Sequence, residues 1–148
     1  MTQRKSGAAA SAHARPKVPL ILVVDDYADN REMYSAYLRF QGLDVVEAAN
    51  GTEALDHAFE HKPDLVVMDL SLPGVDGWQA TRLLKADART KHIPVIAVTG
   101  HALAGASERA AEAGCDGFLT KPCLPEDLLR EIERMLERGR ESDRSKRR

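Results

Sequence analysis

Leu20-Ile21-Leu22-Val23-Val24-Asp25-Asp26 carries five aliphatic residues without interruption into two aspartates. A run of that length, too short for a helix and apolar at every position, predicts a strand buried on both faces, as at the centre of a parallel sheet. Two more runs repeat the design. Leu65 to Met68 leads into Asp69, and Ile93 to Val98 leads into Thr99. Phe118 to Thr120, ahead of Lys121, is shorter, and Asp44 to Ala48 is more polar, so these two predict the edge strands. Helix-like segments separate all five. The alternation predicts an α/β fold, a five-stranded parallel sheet doubly wound by five helices.

The intervening segments carry helical spacing. Asp29 to Phe40 places Met33, Tyr34, Tyr37 and Leu38 together, with Asp29 as the expected N-cap, Glu32 completing a capping box and Gly42 as the stop. Thr52 to His61 turns Ala54, Leu55, Ala58 and Phe59 to one side and ends before Pro63. Gly77 to Ala86 contributes Trp78, Leu83 and Leu84; Trp78 is expected as a partly buried anchor. Ala102 to Ala113, with Gly105 inside, offers a thin apolar face and is expected to be the least firmly held. Pro125 to Glu137 begins with Pro, Glu126 and Asp127 at its positive end and turns Leu128, Leu129, Ile132, Met135 and Leu136 inward.

The chain has 148 residues and a formal net charge of −2, which conceals a strong segregation. Residues 1–19 hold four bases and no acid, residues 138–148 hold six bases against two acids, and residues 20–137 hold eleven bases against twenty-one acids. An acidic folded domain over 20–137 is therefore expected between a disordered basic N-terminal extension, 1–19, and a basic C-terminal tail, 138–148. A body of that size buries roughly two-thirds of its unfolded surface without disulfides or a structural metal. No apolar run approaches the roughly 18 residues of a membrane helix, so no membrane insertion is expected. The extension lacks the apolar core of a secretory signal; its Ala, Ser and Arg content also suits a transit peptide, but a plain extension is the simpler expectation. Cys115 and Cys123 form no metal-ligand pattern, suit a reducing cytoplasm, and are expected as small buried or half-buried fillers.

Ligands of open parallel sheets bind outside the carboxyl ends of the strands. Asp25, Asp26, Asp69, Thr99 and Lys121 all stand there. Two carboxylates within about 4 Å repel by roughly 4 kcal/mol at an effective dielectric near 20, so three ionised together need a compensating cation. An all-oxygen site open to water suits Mg²⁺ better than zinc. The Lys121 ammonium and Thr99 hydroxyl then complete a site for a phosphoryl group, with a carboxylate as nucleophile.

These residues resemble the response-regulator receiver domains of two-component signalling, the flavodoxin/CheY-like fold with strand order 2-1-3-4-5. The resemblance covers about Leu20 to Glu137 and rests on Leu22-Val-Val-Asp25-Asp26, on Asp64-Leu-Val-Val-Met-Asp69-Leu-Ser-Leu-Pro73-Gly-Val-Asp76-Gly77, on Val98-Thr99-Gly100 and on Ala113-Gly114-Cys-Asp-Gly117-Phe118-Leu-Thr-Lys121-Pro122. It implies Asp69 as phosphoacceptor, and Mg²⁺ held by Asp25, Asp26 and Asp69 with the backbone carbonyl of Ser71. Thr99 and Lys121 would contact the phosphoryl oxygens, and Pro122 would be cis. Phe118 stands at the family's aromatic switch position, which would turn inward as Thr99 moves and change the face of the fourth helix, fifth strand and fifth helix. Cys123 replaces the Phe usual after Lys-Pro, and Ser71 and His101 occupy positions that tune loss of the phosphoryl group to water.

The implied function is a phosphoacceptor switch charged by a sensor histidine kinase or histidine phosphotransfer protein, self-dephosphorylating, and acting on a downstream protein or relaying the phosphoryl group. Only 11 residues follow Glu137, too few for an output domain, so a stand-alone type without direct DNA binding is expected. Two alternatives stand beside it. A haloacid-dehalogenase-type phosphatase also uses an Asp nucleophile and Mg²⁺, but needs an Asp where Ser71 stands. A phosphorylation-independent interaction module would be marked by loss of Asp69, Lys121 or the acidic pair, and all are present. His57 and His61, four apart beside Asp56 and Glu60, are expected to form a solvated face.

Overall fold

Neighbouring residues along a strand point to opposite faces, so a strand apolar at every position feeds two cores at once. The structure, a computed structural model describing residues 17–70, 77–100 and 105–146, shows both. Chain order is β1 (Leu20–Val24), α1 (Ala28–Phe40), β2 (Asp44–Ala48), α2 (Gly51–His61), β3 (Leu65–Asp69), α3 (Gly77–Ala86), β4 (Val95–Thr99), α4 (Ala106–Ala113), β5 (Gly117–Thr120) and α5 (Pro125–Lys146). The five strands are parallel in the order β2-β1-β3-β4-β5. β3 and β4 are buried throughout, whereas β2 and β5 at the edges are mostly half-buried.

On one face Ile21, Val23, Leu65, Val67, Ile96 and Val98 meet Tyr34 and Leu38 of α1 and Leu128, Ile132 and Met135 of α5. On the other, Leu22, Val24, Val66, Met68, Val95 and Ala97 meet Ala54 and Ala58 of α2, Ala80 and Leu84 of α3, and Ala110 of α4. Trp78, Cys115 and Phe118 pack half-buried on this second layer, and the Arg109 guanidinium of α4 lies 4.6 Å from the Trp78 ring centroid, linking α4 to α3.

Several element boundaries differ from expectation for local reasons. Asp29 does not cap α1. Tyr27 occupies the N-cap without a side-chain hydrogen bond, and Asp29 lies in the first turn, where it accepts from the Tyr27 hydroxyl at 3.3 Å. The capping box is instead at α2: Asn50 Oδ1 accepts from the Glu53 N–H and Glu53 Oε1 accepts from the Ala49 N–H, both at 2.8 Å. Gly42 ends α1 with a φ of 95°, and Lys62 ends α2 in the left-handed region. β4 begins at Val95, not Ile93, because Pro94 has no N–H to enter the ladder. Val95 instead pairs its N–H with Asp116 Oδ2 and its carbonyl with the Asp116 N–H. Gly105, at φ 83°, precedes α4 instead of lying inside it, so the helix begins at Ala106. Met33 and Leu83, placed by spacing on apolar faces, are exposed.

The last helix also continues past Glu137 to Lys146. Helix-forming Glu and Arg residues sustain it, with ion pairs three apart at Glu131–Arg134 and Glu137–Arg140. Residues 1–16 of the basic extension expected over 1–19 lie outside the described residues.

Two positions hold the frame closely enough to be tested. A Cβ on Gly77 would stand 2.2 Å from the Asp69 carbonyl oxygen and 2.6 Å from Leu70 Cα, so α3 can approach the end of β3 only with glycine there. Gly77→Ala is expected to cost on the order of 1–3 kcal/mol in urea unfolding. Asn50→Ala, which removes the cap of α2, is expected to cost about 1 kcal/mol by the same measurement.

Candidate phosphoacceptor site

The register levels the strand ends. Val24 pairs with Met68, Asp69 with Val98 and Thr99 with Thr120, so the residues that close or follow these strands emerge at one edge of the sheet. Asp25, Asp69 and Thr99 are buried there and Asp26 is exposed. One carboxylate oxygen from each of Asp25, Asp26 and Asp69 lies within 4.8 Å of the others. Asp25, Asp26, Asp69 and Lys121 come together at this edge, and Thr99 closes β4 beside them with its carbonyl accepting from the Lys121 N–H.

Lys121 Nζ donates to Asp25 Oδ2 at 3.0 Å and lies 3.6 Å from Asp69 Oδ2. Burial works against its charge, but the Asp25 hydrogen bond and the charges of Asp69 and Asp25 outweigh burial and raise the Lys121 pKa above its ordinary value. The lysine is therefore held as the ammonium. One ammonium against three carboxylates leaves the mouth net negative, and the donors are all oxygen. That donor set fits a hard divalent cation, and among the described residues it includes no histidine or cysteine for a softer one.

Further contacts hold the carboxylates in place. Asp25 Oδ1 accepts from the Tyr27 N–H at 2.9 Å, which turns the chain from β1 into α1. Arg31 Nη1 donates to the Asp25 carbonyl at 2.9 Å while its Nε meets Glu47 at 3.2 Å, tying the loop to edge strand β2. Lys121 is fixed from both sides. Its N–H donates to the Thr99 carbonyl at 2.8 Å, and the Tyr34 hydroxyl donates to the Cys123 carbonyl at 2.8 Å across the cis Lys121–Pro122 bond. The cis proline stands where it was expected. The sequence does not single out Arg31, and it places Tyr34 only on an apolar stripe. The only signal was the phenol, which when buried seeks a partner, here 89 positions away.

Phe118 is half-buried on β5 opposite Ala97 and packs on the α2–α4 layer. Thr99 lies two residues beyond Ala97 and so faces the same side. Ser71 and His101 lie outside the described residues. Both cysteines are half-buried and free. Burial pushes the Cys115 thiol up to about 11 and also raises that of Cys123, which keeps both as packing groups.

Comparison with known proteins agrees with this geometry. The polar-differentiation response regulator DivK of Brucella anthropi is 41% identical over 102 residues, covering 69% of this chain and 83% of DivK. A CheY-like response regulator receiver domain protein from Methanospirillum hungatei superposes with a TM-score of 0.79 at 29% identity, covering 85% of this chain and 99% of that one. The receiver domain of a Pseudomonas aeruginosa sensor histidine kinase, described with a magnesium ion coordinated in its active site cleft, gives 0.75 at 34% identity, covering 82% and 99%. Residues 21–133 match the response regulator receiver domain family, and the chain is a member of it.

Proposed function

We propose that this receiver domain accepts a phosphoryl group on Asp69 from a phosphohistidine of a sensor histidine kinase or histidine phosphotransfer protein. The observation that carries the reading is the Lys121 ammonium set between Asp25 and Asp69 at the ends of the strands. A carboxylate so placed lies close to a cation that can meet the incoming charge. An oxygen of Asp69 attacks phosphorus, the P–N bond breaks, and the imidazole departs as the acyl phosphate forms. Lys121 neutralises one phosphoryl oxygen, and Thr99 donates a hydrogen bond to another. Asp25, Asp26 and Asp69 would hold Mg²⁺, with the Ser71 carbonyl as a further ligand, and the ion when bound offsets charge on the transferring group. Water later hydrolyses the acyl phosphate and resets the domain.

The output passes through the face of α4, β5 and α5. Thr99, drawn toward the phosphoryl group, vacates space on the side of the sheet where Phe118 already packs, and Phe118 turns inward. A partner protein reads the altered face, or the phosphoryl group is relayed onward. The similarity to DivK, a response regulator, and to a kinase receiver with magnesium in its cleft supports the reading. A cytoplasmic location is part of this reading; among the described residues no helix is long and apolar enough to cross a membrane.

Incubation with acetyl phosphate and Mg²⁺ is expected to add one phosphoryl group by intact mass, and EDTA or Asp69→Asn to abolish the addition. An unmodified wild-type mass, under conditions that label another receiver, would overturn the proposal. Lys121→Met is expected to slow labelling by roughly a hundredfold. Labelling at the wild-type rate would remove the lysine from the site's chemistry.

A further inference from the structure

Helix α2 runs back along the sheet, from the strand ends that carry the carboxylates toward the end where the strands begin. Its last turns hold His57, Glu60 and His61. These three offer one ligand atom each, and the atoms lie within 4.8 Å of one another. The imidazole centroids are 5.5 Å apart, and His61 Nε2 is 3.9 Å from Glu60 Oε1. Residues four apart share a helix face, which brings the two rings together. His57 adds an independent mark: its Nδ1 is buried and has no hydrogen-bond partner among the described residues. A buried polar atom left unpaired costs free energy and calls for an explanation, of which a bound ion is one.

We propose that His57, Glu60 and His61 form a second cation site, distinct from the acidic mouth, that binds Zn²⁺. Two imidazoles and one carboxylate make a nitrogen-rich donor set suited to a borderline ion, whereas the mouth is all oxygen and suited to a hard one. Coordination through His57 Nδ1 supplies the partner that nitrogen lacks. Zinc ligands sit about 2.0–2.2 Å from the metal, so the donors must draw closer than they now stand. Glu60 and His61 are exposed and can make that adjustment by rotation about their side-chain bonds. The partial negative charge of the helix C-terminus also favours a cation there. Three protein ligands leave a fourth position for water.

Calorimetric titration with Zn²⁺, after removal of metals and with Mg²⁺ in large excess to saturate the mouth, tests the site. One equivalent should bind, with the His57 and His61 imidazole C–H resonances shifting and those of the other histidines unmoved. His57→Ala and His61→Ala should each weaken binding by roughly tenfold or more, and Asp69→Asn should leave it unchanged. His61 is exposed, so its variant keeps the fold, which circular dichroism verifies. Absence of binding, wild-type affinity in the His61 variant, or loss of binding in Asp69→Asn would each overturn the proposal.

Discussion

Three carboxylates at one end of a sheet repel one another, and the architecture of this domain makes that repulsion tolerable without relaxing it. Asp25 and Asp69 are buried at the ends of β1 and β3, where water screens them poorly. Lys121, 96 positions from Asp25 in sequence, offsets part of the charge. A divalent cation bound there would balance the remainder. Groups already fixed in place need little rearrangement to receive an anion and a metal together. The cost falls on the surrounding fold, where Arg31, the Tyr27 amide and Tyr34 hold backbone and side chains that would otherwise move apart.

The two layers covering the sheet are built differently. The α1 and α5 side is filled with Tyr34, Leu38, Leu128, Ile132 and Met135, while on the other side only α3 adds a large buried residue, Leu84, and α2 and α4 meet the sheet largely through Ala54, Ala58 and Ala110. Hydrophobic stabilisation scales with apolar area removed from water, at about 25 cal/mol per Å², so each alanine-faced helix is held by less. The eight residues of α4, preceded by Gly105 and followed by Gly114, both in the left-handed region, therefore form an element whose displacement disturbs little packing. It lies on the same layer as Phe118, which gives a local shift at the strand ends a route to the surface.

Much of this was legible in the sequence because burial on both faces leaves an unambiguous mark. The runs at β1, β3 and β4 marked the centre of the sheet and the weaker ones its edges, and the residues after four of the five runs, Asp25, Asp69, Thr99 and Lys121, stand at one edge of it. The family resemblance supplied the strand order and the cis proline. What could not be read was local competition and long-range pairing. Asp29 and Asn50 are both good caps by composition, and only the backbone path shows that Asn50 is used. Met33 and Leu83 fit helical spacing yet face water, because periodicity marks a stripe wider than the one the sheet covers. Gly77 is ordinary in sequence, and only the approach of α3 to the end of β3 shows that a side chain is excluded.

The unbroken α5 changes what the net charge of −2 means. Its 22 residues extend about 33 Å from the mouth toward the opposite end of the sheet, and the surplus of arginine sits on its final turns. Electrostatic influence through physiological salt solution fades over about 8 Å. The positive terminus therefore does not neutralise the negative body, and a near-neutral total describes neither. Across the described residues the charge is bipolar, so the orientation of a charged molecule approaching them is biased before any contact forms.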